Sequence, residues 1–416
     1  MLVRKIGGPD FLRNNAPWLS AGLVLAFSSS FGQTYFIALF AEPLQAEFSL
    51  AHGEWGRLYT LATLCSAAAL IQVGRLADVM RVRSLALLVY AAFVLVCIAM
   101  AYVQSVLMLG LVIFGLRFCG QGMMSHISMT AMGRWFARRR GKAVAFAALG
   151  YPLGEALFPF IAVALIAGIG WRQTWLVAAA ALALILTPLL MFLLRRERIP
   201  ASGSADADLV AGIGGLHWNR HQVLRHAAYW ALMPGVLAPP FISTALFFHQ
   251  AHIISIKGWD ILTYAASFPL FSGAGITAAL VSGALVDRFG TPRLLPFYLL
   301  PLAAALLILA SIDASWVMFP YLILIGLTSG TASTILGALW AELYGTRHLG
   351  SVRAMAVAGM VLGTALGPGV TGSLIDLGVG FTTQSLVMAV YLILVSAGFA
   401  RLAMVIERQI IRQTET

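Results

Sequence analysis

Long apolar runs separated by short polar turns, most of them basic, organise this chain. A helix needs about 20 mostly apolar residues to cross a hydrocarbon core of roughly 30 Å. Runs of that kind fall at 17–41, 54–77, 84–104, 106–135, 142–168, 171–194, 226–255, 260–286, 292–311, 315–344, 350–376 and 381–406. They predict twelve spanning helices, because strands of a membrane barrel would show short alternating segments instead. Only the turn Gly170-Trp171-Arg172 divides the fifth run from the sixth. The longest hydrophilic stretch, 195–225, carries RRERIPASGSADAD and divides six spans from six. The expected fold class is therefore an all-α membrane protein of two six-helix bundles: residues 1–194, a cytoplasmic linker 195–225, and residues 226–416.

Composition strengthens this reading. Apolar residues make up 60% of the chain without counting glycine, and charged residues only 10%, against about 25% charged in soluble domains. A water-soluble fold of this length could not hide that much apolar surface, whereas a bilayer can. The start, MLVRKIGGPDFLRNNAP, is basic and then polar, with no short apolar segment leading to a small-residue cleavage site. The run at 17–41 is thus expected as a retained span rather than a signal peptide. Cys65, Cys97 and Cys119 all sit in apolar runs, so neither a disulfide framework nor a metal cluster is indicated.

Basic residues orient the chain. With both termini on one side, 23 of the 27 lysines and arginines fall on that side. The opposite side holds Arg57, Arg172 and Lys257, and Arg117 lies within a span. The bias places both termini in the cytoplasm and predicts a multi-pass protein of the cell (inner or plasma) membrane. The net charge of +11 then belongs to loops facing anionic lipid, and nucleic acid is not an expected partner.

The halves repeat at an offset of 209 residues. Gly74 and Asp78 match Gly283 and Asp287; Gly141, Gly150, Gly154 and Pro159 match Gly350, Gly359, Gly363 and Pro368. An even number of spans per half makes the copies parallel, related by an axis along the membrane normal.

Gly283-Ala284-Leu285-Val286-Asp287-Arg288-Phe289-Gly290, followed by Pro292-Arg293, resembles the cytoplasmic loop motif of the major facilitator superfamily. Its partner Gly74-Arg75-Leu76-Ala77-Asp78, with Arg81 and Arg83, lacks the second glycine. Arg117 before Gly120-Gln121-Gly122 is similar to the arginine-and-glycine signature of that family's fourth helix. Gly133-Arg134-Trp135-Phe136, then Arg139-Arg140-Gly141, looks like the monocarboxylate and oxalate/formate branch. The resemblance implies a pseudo-symmetric major facilitator fold and secondary transport by alternating access, without a cofactor. It also implies cavity-lining roles for the first, fourth, seventh and tenth spans. Gly74, Asp78, Arg81, Gly283, Asp287, Arg288 and Arg293 are expected to form a conformational latch, since an aspartate at a helix end can pair with arginines across a loop. The alternative is an ordinary solvated turn.

Ionisable groups inside the bilayer cost about 2.5–3.5 kcal/mol each on insertion scales, so each needs a reason. Glu155 lies roughly 20 Å from the cytoplasmic end of its span and Arg117 roughly 27 Å, at 1.5 Å per residue. Glu155 is a proton carrier or one half of a structural ion pair with Arg117. Arg117 is an anchor for an anionic substrate or the other half of that pair. His126 is nine residues from Arg117 and, at 100° per residue, faces nearly the opposite way. His249 and His252 share one helix face, where they bind protons or substrate or simply occupy a wet helix end. Gln33, Tyr35, Thr328, Ser329 and Thr331 are neutral contact candidates.

Gly141, Gly150 and Gly154 match the fifth-helix motif of proton-antiporting drug exporters in the family, but Glu155 and Phe158-Pro159 depart from it. No phosphate-cradling loop and no clustered nucleophile and base occur, so neither ATP coupling nor an enzyme is expected. The leading expectation is a monomeric, proton-coupled carrier of a small organic anion such as a monocarboxylate. The rivals are an exporter of amphiphilic compounds by proton antiport and a sensor that kept a transporter fold.

Overall fold

A computed structural model describes residues 9–136, 140–196 and 211–414, with the side chains of residues 9, 10, 78, 140 and 405–414 outside the description. The described residues are helical, with no strand. Helix α1 is a broken pair, Phe11–Gly32 and Thr34–Phe48, bent by 41°. It is followed by α2 His52–Val73, α3 Val82–Ala101, α4 Val106–Trp135, α5 Gly141–Ile169 and α6 Trp171–Leu193. The second set is α7 Ala227–Phe248, α8 Ile261–Phe289, α9 Leu300–Ser311, α10 Ser315–Tyr344, α11 Leu349–Asp376 and α12 Phe381–Met404. Ten of these are long and apolar enough to cross a membrane, and the bent α1 makes up to eleven.

The ninth expected span, 292–311, is shorter than its apolar run. A 3-10 turn occupies Pro292–Leu294, and the helix proper begins only at Leu300. Pro292, Pro296 and Pro301 remove three backbone donors in that stretch. Pro301, in the first turn of α9, is tolerated because its missing N–H would be unpaired there in any case.

Turn chemistry sets the boundaries. Gly170 separates α5 from α6 at φ +86°, and Gly290 ends α8 at φ +77°, a region in which a Cβ would be strained. Asp260 caps α8, its carboxylate accepting from the Thr263 amide at 2.7 Å.

The chain divides into two compact units. The first comprises Met1–Ala51 and Arg57–Ala205; the second comprises Asp206–Thr416 together with His52–Gly56, the first residues of α2. The 209-residue repeat has a physical meaning inside each. In the first unit, α5 lies so close to α1 that a Cβ on Gly150 would run into the Leu23 carbonyl and stand 2.7 Å from the Phe27 nitrogen. In the second, the matching glycines of α11 meet α7: a Cβ on Gly359 would sit 3.1 Å from Leu237, and one on Gly363 3.3 Å from the Leu237 carbonyl. Small residues let backbones approach where lipid gives no hydrophobic drive for helices to associate.

Gly141 and Gly350 belong to the same repeat, yet a Cβ on either meets nothing within 4 Å. Gly150→Ala should therefore cost about 1–3 kcal/mol through overpacking. Gly141→Ala and Gly350→Ala should match or slightly exceed the wild type, since alanine is the better helix former. Thermal unfolding of the three purified variants checks this contrast.

Candidate functional site

The break in α1 creates the main polar site of the first unit. Ser28, Ser29 and Ser30 precede it. The hydroxyls of Ser28 and Ser29 donate back to Val24 and Ala26 carbonyls at 2.7 and 2.6 Å, a competition that weakens helical bonding. The helix tightens into a 3-10 turn at Ser29–Gly32, and Gln33 turns extended at φ −83°, ψ 153°. Breaking the ladder frees backbone carbonyls inside the protein, and each must find a donor.

Arg117 supplies one. It is 1% exposed, and its Nη1 donates to the Gly32 carbonyl at 3.1 Å and to Thr34 Oγ1 at 3.3 Å. Thr34 and Tyr59 hydroxyls are 2.6 Å apart, and the guanidinium carbon lies 5.2 Å from the centre of the Tyr59 ring. The approach of α4 depends on Gly32 and Gly120: a Cβ on Gly120 would stand 2.6 Å from Gly32 Cα. Here α4 widens into a π-helix over Arg117–Met124, a feature often found at functional sites.

Nε and Nη2 of Arg117 have no hydrogen-bond acceptor among the described residues. The ion pair with Glu155, one of the two readings of each group, is not formed among the described residues. Arg172 pairs with Glu47 and Lys257 with Asp313 instead. Glu155 is half-buried on α5, and Tyr35 is buried just past the helix break. Thr34, just past the helix break, touches Arg117. Gln33 Nε2 reaches Ser29 Oγ at 3.5 Å. Positions 209 residues beyond Arg117 and Glu155 hold Gly326 and Thr364, so the second unit has neither the cation nor the carboxylate at the matching positions.

His126 stands apart from that cluster. Its Nε2 lies 3.0 Å from the Gly74 carbonyl, to which the ring nitrogen donates. The π-helix between Arg117 and His126 replaces the regular 100° phase on which their opposition was argued. The loop-motif glycine is required by the backbone before it, since a Cβ on Gly74 would stand 2.6 Å from the Leu70 carbonyl.

In the second unit, a cavity of about 360 Å³ opens among α7, α8, α10 and α11. Ser329 lines it with Phe247, Phe271, Trp340, Arg353 and Met360. Thr328 and Thr331 spend their hydroxyls on their own helix, bonding the Leu324 and Leu327 carbonyls. His249 is buried, its Nε2 donating to the Pro368 carbonyl at 3.1 Å. The His252 ring lies 4.5 Å from that of His52, tilted by 58°, and the His52 ring is 6.2 Å from that of His249. No group of three or more His, Cys, Asp or Glu able to hold a metal occurs among the described residues.

The loop-motif residues behave unequally. The side chain of Asp78 lies outside the description, and Asp287 and Arg288 are exposed. Beside the second motif copy it is Glu342, at the end of α10, that accepts from the Thr291 amide and hydroxyl at 3.0 and 2.6 Å. Thr34, Tyr59, His52 and Glu342 are absent from the sequence-derived candidates. Tyr59 and His52 carry no sequence signal, being joined to their partners only by tertiary packing. Thr34 could have been found as the polar neighbour of Gln33 and Tyr35.

A family model described as Major Facilitator Superfamily matches residues 22–368 and 250–414. A Thermoproteus tenax sequence, described as an uncharacterized 38 kDa protein in the 23S RNA operon, is 26% identical over 326 residues, 77% of this chain and 78% of that one. The MFS transporter asaE of Aspergillus flavus is 26% identical over 230 residues, 54% of this chain and 48% of its own length. Among solved structures, a bacterial homologue of the human lysosomal transporter Spinster aligns with a TM-score of 0.69 at 15% identity, covering 97% of this chain and 99% of that one. The nucleoside transporter NupG aligns with a TM-score of 0.69 at 13% identity, covering 92% and 99%.

Proposed function

This chain belongs to the Major Facilitator Superfamily and is a multi-pass membrane transporter, and from that premise we propose that it takes up a small organic anion, such as a monocarboxylate, coupled to protons. The observation that carries this reading is Arg117: a fully buried guanidinium, held by α1 through one nitrogen, with two N–H-bearing nitrogens lacking a protein acceptor among the described residues. A buried charge without its counter-charge costs several kcal/mol. A substrate carboxylate would meet that guanidinium with charge-assisted, bidentate bonds. Glu155 is the proposed proton carrier, and Gln33, Thr34 and Tyr35 at the helix break are proposed substrate contacts. The arginine bias supports both termini lying in the cytoplasm of a cell bounded by this membrane.

Proteoliposome uptake of radiolabelled lactate, pyruvate and oxalate under an imposed pH gradient tests the proposal. Concentrative uptake that disappears when the gradient is collapsed is expected; uptake indifferent to it would remove the proton. Glu155→Gln should lose gradient-driven accumulation, down to the passive leak, while substrate counterflow at equal pH continues. Loss of both activities in a folded variant would make Glu155 a binding or structural group instead.

The aromatic and methionine lining of the second-unit cavity favours a second reading, export of amphiphilic compounds by proton antiport. Efflux of a cationic dye by the same proteoliposomes, with no uptake of the acids, would select it.

A further inference from the structure

Five arginines at one end of the first unit have no part in the site just described. Arg81 lies just before α3 and Arg83 in its first turn, Arg134 in the last turn of α4, and Arg195 and Arg196 just past α6. All five line one cavity of about 530 Å³. No aspartate or glutamate lines it among the described residues; Asp78, nearby on the same turn, has its side chain outside the description. The cluster is anchored by its neighbours. Arg134 Nη1 donates to the Ala77 carbonyl at 2.5 Å. The Arg195 guanidinium stacks 4.5 Å over the Phe192 ring. Trp18 Nε1 donates to the Arg196 carbonyl at 3.1 Å, tying the start of α1 to the end of α6.

A second cavity, of about 310 Å³, adjoins the first by sharing Arg195 and Arg196, and adds Arg13, Asn14 and Trp18. The walls also contain apolar and aromatic residues, Leu87 and Trp135 in the first cavity and Phe192 in the second. Phe192 is 59% exposed. Basic groups immediately past the ends of apolar helices, mixed with tryptophan, mark the depth of lipid headgroups. Basic pockets between helix ends on the side that the arginine bias makes cytoplasmic suit phosphate esters.

We propose that these joined cavities form a binding site for the phosphate of an anionic phospholipid, with Arg83, Arg195 and Arg196 gripping its oxygens and the apolar walls receiving the first carbons of the acyl chains. Planar guanidinium forks match phosphate oxygens in pairs, and the clustered charge favours an anionic headgroup over a zwitterionic one, which carries the phosphate but no net negative charge. The site is independent of the substrate assignment to Arg117.

The test is lipid retention by purified protein in nanodiscs of phosphatidylcholine with added phosphatidylglycerol or cardiolipin, read by native mass spectrometry and by thermal midpoint. Wild type should retain the anionic lipid over phosphatidylcholine and unfold at higher temperature with it. Arg195→Gln/Arg196→Gln should lower that enrichment by about 30-fold, two arginines' share of the surface attraction, and Arg195→Lys/Arg196→Lys should restore part of it. The control pair Arg220→Gln/Arg225→Gln, in the second unit, should keep the wild-type enrichment. Equal loss in the control pair, or no enrichment in wild type, would overturn the proposal whether or not the variants fold. So would inorganic phosphate protecting wild type as well as the lipid does, since the ligand would then be the free anion.

Discussion

Arg117→Gln is expected to abolish concentrative uptake while leaving an intact, monodisperse protein. The variant keeps a donor for Gly32 but loses the charge and the fork that a carboxylate would grip. Bonds to charged groups contribute about 1.5–3 kcal/mol each, so losing about 3 kcal/mol of substrate binding weakens affinity about 150-fold. Arg117→Lys keeps the charge without the planar fork and should fall between the two. Two measurements separate this from a structural role. A transported acid at 100 times its Kd should stabilise wild type by about 2.7 kcal/mol and the glutamine variant hardly at all. Without ligand, the glutamine variant should unfold no earlier than wild type, because removing an uncompensated buried charge offsets the weaker neutral bonding to Gly32 and Thr34. Undiminished uptake by Arg117→Gln would remove the anion anchor.

Gly120→Val is expected to give the largest loss of stability of any single substitution considered. A Cβ at 120 would stand 2.6 Å from Gly32 Cα and 2.7 Å from Gly32 N. Both are backbone atoms, so no side chain can turn away. Valine adds two further methyl groups in the same gap. Relief requires α1 and α4 to separate, which breaks the Arg117 bond to the Gly32 carbonyl as well as the packing. Overpacking alone costs about 1–3 kcal/mol, and a carbonyl left unpaired adds about 1–3 kcal/mol more. The extracted variant should aggregate on size exclusion or unfold well below wild type. Gly273→Ala, where an added Cβ meets nothing within 4 Å, should behave as wild type. Equal stability of the two variants would show that the close approach of α1 and α4 does not hold in the protein.

The two predictions meet at one place, and the sequence showed only part of it. Arg117, Glu155, Gln33 and Tyr35 are legible because a charged or strongly polar group in an apolar run is costly and therefore noticeable. Their grouping is only half legible. Depth along a helix follows from a constant rise, so Arg117 and Glu155 could be placed at similar levels. Azimuth does not follow so simply. The π-helix at Arg117–Met124 and the break at Gln33 alter α4 and α1 locally, and Arg117 meets the Gly32 carbonyl and Thr34 rather than Glu155. The loop motif shows the same division. Its glycine at 290 is explained by a positive φ, whereas the acceptor that holds the adjoining turn, Glu342, lies 51 residues from Thr291.

The sequence by itself determined the solvent of this protein, its helical class, its repeat and the family to which it belongs. Those properties depend on local composition, on apolar run length and on residues at fixed spacing, all of which add along the chain. Tertiary structure alone decided which carbonyl Arg117 satisfies, that its remaining nitrogens stay without a protein acceptor among the described residues, and that arginines 81, 83, 134, 195 and 196 share one cavity. Those facts depend on distances between helices, which glycine contacts and broken backbone geometry fix in three dimensions and which residue spacing does not encode.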